Sequence, residues 1–175
     1  MNQPPSAQAL QELLDKQAIT EVLYRYSRGV DRCDRATMAT VYWPDAEDDH
    51  MVFKGGGQAL LDYLYNAVLH MRTAHRVTNV LIEFESAVSA HCESYVWAYH
   101  NMAVGEGRED VVFGGRYVDR FAKRGDEWRI ARRQVVMDYF QRMSASADLG
   151  VFGALQFTGG HFPADPIYER TRTRR

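Results

Sequence analysis

The hydrophobic period of this chain changes once, near His75, and that change limits the fold more than any other feature. Before it, apolar residues recur every three or four positions; after it, they alternate. Helices first and long alternating strands afterwards define an α+β arrangement, with helices packed against an antiparallel sheet.

The helical part divides into three predicted elements. Ser6 is placed to cap a helix running to about Gly29, with Leu10, Leu13, Leu14, Gln17, Ile19, Val22, Leu23 and Tyr26 on one buried stripe. Asp34 then caps a second, short helix through Val41, carrying Met38, Val41 and Tyr42 inward. Trp43-Pro44-Asp45 ends it, because proline disfavours helix at the preceding residue. A weak strand around Met51-Val52-Phe53 leads to Gly55-Gly56-Gly57, which lacks the Lys-Ser/Thr of a phosphate loop and serves as a turn. The third helix carries Leu60, Leu61, Leu64, Val68, Leu69 and Met71 and ends near Arg72.

Strand patterns then cover about 75–86, 90–104, 111–123 and 127–139, joined by short polar links, which predicts an antiparallel meander. A strongly twisted sheet curling around the helices would form a cone with an interior cavity. Met143 to Gly153 could hold a further short helix. Residues 1–175 read as one domain, with a core of about 8–140 and an extension over 141–175.

Composition narrows the function classes. A net charge of -2 offers no electrostatic reason to bind nucleic acid. Arg170, Arg172, Arg174 and Arg175 read as a solvated tail. No apolar run approaches the ~20 residues that span a bilayer, and the first residues lack the pattern of a signal peptide. Cys33 and Cys92 have no metal-type spacing and are too few for a disulfide framework, so a reducing cytoplasm is expected. Aromatic residues make up 12% of the chain. Tyr95, Trp97, Tyr99, Phe113 and Tyr117 exceed the needs of one cavity, so some are expected to bury against another copy of the chain.

His75 is the best candidate for a group that moves protons, since imidazole titrates near neutrality. Its position fits two readings: a hydrogen-bonded or solvated histidine at a helix–strand junction, or a general base. Asp31 is either solvated loop or the carboxylate that fixes the tautomer of His75. Arg133 shares a strand face with Ala131, Val135 and Met137, where a guanidinium needs an anionic partner or pocket water. It is there to pair with a structural carboxylate or to hold a leaving group. Tyr26 and Trp43 are core aromatics or cavity lining, and Tyr26 could offer its hydroxyl to a leaving oxygen. His50, His70, His91, His100 and His161 are weaker candidates. Asp48-Asp49-His50 has no second ligand cluster, so no metal is expected.

Taken together, Gly29-Val30-Asp31-Arg32, Ala74-His75-Arg76-Val77-Thr78-Asn79, Gly115-Arg116-Tyr117-Val118-Asp119-Arg120-Phe121 and the ending Trp128-Arg129-Ile130 to Phe140 resemble the SnoaL-like branch of the nuclear-transport-factor-2-like superfamily. The resemblance covers roughly residues 8 to 140 and returns at His161-Phe162-Pro163. It implies a cone-shaped α+β barrel and elimination without a cofactor, as in the hexachlorocyclohexane dehydrochlorinases and the scytalone and bile-acid dehydratases. On this resemblance, Asp31 and His75 match the family's aspartate–histidine pair, Arg133 its cavity arginine and Trp43 its pocket tryptophan; Val135 and Met137 would line the pocket. Tyr26 stands where the dehydrochlorinases have lysine and the bile-acid dehydratase has tyrosine, which favours loss of water. The implied activity is a dehydratase-type lyase acting on a small hydrophobic cyclic or polyketide-like substrate, in a homodimer or homotrimer. An isomerase, a non-catalytic binding module and the small subunit of a ring-hydroxylating dioxygenase are the alternatives.

Overall fold

A computed structural model of the protein describes residues 4–145 and 159–168. Helix α1 spans Ala7–Asp31, and Ser6 caps it, its Oγ accepting the Ala9 N–H at 3.1 Å. The helix ends in a Schellman turn: Asp34 N–H donates to the Gly29 carbonyl at 2.8 Å and Cys33 N–H to Val30 at 3.1 Å. Cys33 takes the left-handed conformation this turn requires, with φ 49°. The turn delivers the chain into α2, Arg35–Met38, capped by Asp34, whose Oδ1 accepts the Thr37 N–H at 3.0 Å.

Only the C-terminal part of the α1 stripe is buried. Ile19, Val22, Leu23 and Tyr26 reach the core, whereas Leu10, Leu13 and Leu14 are 50%, 64% and 55% exposed. The periodicity of α1 is therefore longer than the surface it covers among the described residues. Asp15, between the two parts, fastens the helix to the sheet, accepting Lys123 Nζ at 2.9 Å and Trp128 Nε1 at 2.8 Å.

The second helix is shorter than expected, because the chain turns at once into strand β1, Tyr42–Asp49. Proline and four acidic residues hide this strand from pattern reading. Pro44 is accommodated where the pairing register shifts between Tyr42 and Glu47. Strand β2, Lys54–Gly56, follows two residues of bend at Met51 and Val52, which the sequence reading had placed in a strand. Helix α3 covers Gly57–Val68 and buries Leu60, Leu61, Leu64 and Val68, leaving Leu69 partly exposed.

Strands β3 (Arg72–Ser86), β4 (Ser89–Val104), β5 (Gly107–Arg124) and β6 (Glu127–Ser144) form the expected meander. The full sheet has the order β2-β1-β6-β5-β4-β3, with β1 parallel to β6, so the sheet is curled, unclosed and mixed. Strand β6 continues to Ser144; Met143 therefore belongs to a strand, and the rest of the anticipated helix, like the arginine-rich tail, lies outside the described residues. The segment 159–168 packs on the α1–α2 corner, where Arg32 pairs with Asp165 at 3.0 Å and the Tyr168 hydroxyl donates to Asp34 at 2.8 Å. Among the described residues, no helix is long and apolar enough to cross a membrane.

A bulge in β6 shapes the inner face of the sheet. Gly114 pairs with Tyr139 and Gly115 with Met137, leaving Asp138 over. A methyl group on Gly115 would run into the Val136 carbonyl oxygen and the Phe113 ring. Backbone cannot yield as a flexible side chain does, so Gly115→Ala is expected to cost ~1–3 kcal/mol in urea unfolding. The pleat also sorts the rings that the sequence reading had grouped together. Tyr95 and Trp97 of β4 are exposed, whereas Phe113 and Tyr117 of β5 are buried and face inward. Tyr99 donates to Asp110 at 2.6 Å.

Candidate functional site

Asp31 occupies the last turn of α1, and its carboxylate crosses to the start of β3. Oδ1 accepts the His75 ring Nδ1–H at 2.7 Å and the Thr73 hydroxyl at 2.8 Å, while Oδ2 accepts the His75 backbone N–H at 2.9 Å. β3 is an edge strand, which leaves that N–H free for a side chain. The carboxylate thus holds the proton on Nδ1, so that in the neutral ring Nε2 is the acceptor. Burial pushes the Asp31 carboxyl upward, but bonds from the His75 ring, its charge and backbone, and Thr73 outweigh this and hold it below its ordinary value.

His75 opens on a cavity of about 300 Å³. Its walls come from α1 (Tyr26, Val30), α3 (Leu64, Val68), the β1–β2 link (His50, Met51, Val52) and β4, β5 and β6. Among the described residues, the lining is mainly apolar and contains no carboxylate, so its polar content is imidazole, phenol and the Arg142 guanidinium.

The other expected site residues fall in different places. Tyr26 lines the cavity, its ring centroid 6.3 Å from that of His75 and 5.6 Å from that of Tyr117. Burial raises its pKa well above the ordinary phenol value. Val135 also lines the cavity. Arg133 does not: it is fully buried behind the rings of Tyr26 and Tyr117, 4.4 and 4.0 Å from their centroids. Its Nε and Nη2 each bond an Asp119 oxygen at 2.7 Å. Burial opposes the charge, but Asp119 beside it raises the arginine pKa well above normal. Of its two anticipated roles, the structure contains the pairing with a carboxylate.

Trp43 is likewise absent from the lining. The register shift in β1 carries it to the outer end of the sheet, where its Nε1 donates to Ala122 at 2.9 Å between the guanidiniums of Arg124 and Arg129. Met137 is 55% exposed, because the bulge at Asp138 passes the inward positions to Phe140 and Arg142.

His100, a weaker candidate by its sequence position, belongs to the site. It lines the cavity with its ring centroid 5.4 Å from that of His75. Burial and the charge of His75 press its pKa down to about 4, which keeps it neutral. The hairpin itself carried the signal: His75 pairs with Ala98, so His100, two residues on, shares the face of His75.

The class is that of α+β proteins with a curled sheet and a histidine–carboxylate pair at the edge of an apolar cavity. The particular family follows from comparison. Residues 11–134 match the SnoaL-like domain, and the chain belongs to that family. It is 26% identical over 136 residues to hexachlorocyclohexane dehydrochlorinase 1 of Sphingobium indicum, covering 75% of this chain and 86% of the relative. The crystal structure of a type 2 hexachlorocyclohexane dehydrochlorinase superposes with a TM-score of 0.71 at 25% identity, over 79% of this chain and 94% of the other. A protein with a cystatin-like fold from Nostoc punctiforme shares the fold at a TM-score of 0.54 and 22% identity, covering 71% of this chain and 92% of its own.

Proposed function

We propose that the protein is a cofactor-independent lyase of the dehydratase type, acting on a small hydrophobic cyclic or polyketide-like molecule. The observation that carries this reading is the His75 imidazole, bonded to Asp31 at 2.7 Å, on the wall of a 300 Å³ apolar cavity. His75 Nε2 removes a proton from carbon. Asp31 orients the ring and balances the imidazolium that forms. Tyr26, on the cavity wall, offers its hydroxyl to the departing oxygen. Arg133 is a positioning residue here, holding Tyr26 and Tyr117 through their faces.

The dehydrochlorinase relatives support elimination as the reaction class. Tyr26 favours water as the leaving group, since hydroxide needs a hydrogen-bond donor more than chloride does. A panel of hydroxylated and chlorinated cyclic compounds, read by mass spectrometry, tests this. The expected product lacks the mass of water; a product of unchanged mass would make the protein an isomerase instead. The exposed face around Tyr95 and Trp97, where Arg76 stacks on the indole at 4.5 Å, is proposed to bury against a second copy. Light scattering is expected to give a dimer or trimer, and a monomer at micromolar concentration would refute this.

A further inference from the structure

A second imidazole–carboxylate pair opens on the same cavity. His50 follows β1 and lines the cavity together with His75. Its Nδ1 lies 3.2 Å from Asp48 Oδ1, and the other Asp48 oxygen accepts the Tyr42 hydroxyl at 2.8 Å. The Asp48 side chain is completely buried. The residues beyond His50 form a tight turn: His50 N–H donates to the Phe53 carbonyl and Val52 N–H to that of His50, both at 2.7 Å, with Met51 at φ 60°. His50 is therefore oriented as His75 is, with Nδ1 on a carboxylate and Nε2 left over for an occupant of the cavity.

The two pairs come from opposite ends of the sheet, β1 lying near one edge and β3 at the other. An elimination needs two groups, one to take the proton and one to give a proton to the leaving oxygen. Tyr26 can donate a hydrogen bond to that oxygen, but burial makes its hydroxyl a weaker acid than an ordinary phenol, so the proton itself needs another source. His100 is held neutral by burial and by His75.

We propose that His50, oriented by Asp48 and Tyr42, is the general acid of the site, so that substrate lies with its leaving group toward the 48–53 turn. The assignment rests on the elimination reading and adds to it the source of the second proton. His75 Nε2 takes the proton from carbon, and the C–H electron pair becomes the new C=C bond. The C–O bond breaks with its pair on oxygen, which takes the proton from the His50 imidazolium and leaves as water. His75 ends protonated and His50 neutral; one proton passing through solvent from the first to the second restores both. Chloride departs without a proton, so its loss depends less on His50.

The test compares wild type, His50→Gln and His75→Ala on 3-hydroxycyclohexanone and 3-chlorocyclohexanone, with exchange of the α-proton in D₂O followed by NMR. His50→Gln is expected to shift the ratio of the two elimination rates about a hundredfold toward chloride while α-exchange persists; His75→Ala is expected to lose α-exchange as well. An unchanged ratio overturns the proposal. Should wild type turn over neither compound, the elimination reading is what fails. The His50 assignment is then judged by titrating ¹⁵N-histidine-labelled protein with cyclohex-2-enone. Both His50 and His75 ring signals are expected to move, and a response confined to His75, or none at all, overturns it.

Discussion

His75→Ala is expected to lower kcat/KM for elimination by about 10²- to 10⁴-fold, the usual worth of a positioned general base. The fold should survive, because Asp31 keeps its bonds from the Thr73 hydroxyl and the residue-75 backbone N–H. Asp31→Asn is expected to lose a similar factor, since an amide neither selects the tautomer nor balances an imidazolium. This second variant also has a signature in stability. The folded-state pKa of Asp31 lies below its ordinary value of 3.8, so its contribution is complete above that value and fades as pH falls through the folded pKa. Urea unfolding from neutral to acid pH should therefore show a shallower acid-side loss in Asp31→Asn than in wild type. Wild-type turnover in both variants would sink the mechanism.

The largest expected effect on stability lies behind the cavity rather than in it. Arg133→Met alone would leave Asp119 buried and unpaired, and Asp119→Leu alone would strand the arginine; each should cost ~3–5 kcal/mol in urea unfolding. The double variant Arg133→Met/Asp119→Leu is expected to recover most of that loss, because neither member of the pair is then left behind as a lone buried charge. Additive losses would mean that the two bonds at 2.7 Å contribute no coupling. Activity provides a separate readout. Arg133 holds the faces of Tyr26 and Tyr117, so a double variant that folds yet turns over slowly would mark it as a positioning residue.

Local rules made much of the molecule readable. Ser6 and Asp34 cap their helices because a short polar side chain before an apolar period has a nearby N–H to bond. The meander from β3 to β6 follows from alternation and short links. The same rules failed where pairing is non-local. β1 reads as the end of a helix because its identity depends on β6, some 90 residues away in sequence. His50 was set aside as a poor metal ligand, although Asp48, Tyr42 and the cavity give it a different setting.

By itself, then, the sequence determined the three helices, the meander from β3 to β6 and the candidacy of His75 and Asp31, since side-chain period and helix termini depend on neighbours a few residues away. Only the tertiary structure decided what faces the cavity. The bulge at Asp138 turned Met137 outward and Phe140 inward, the shift in β1 carried Trp43 to the rim, and Asp119 drew Arg133 behind the tyrosines. Each of these outcomes is set by register between strands and by the pairing of buried charge, and both are properties of two distant segments together.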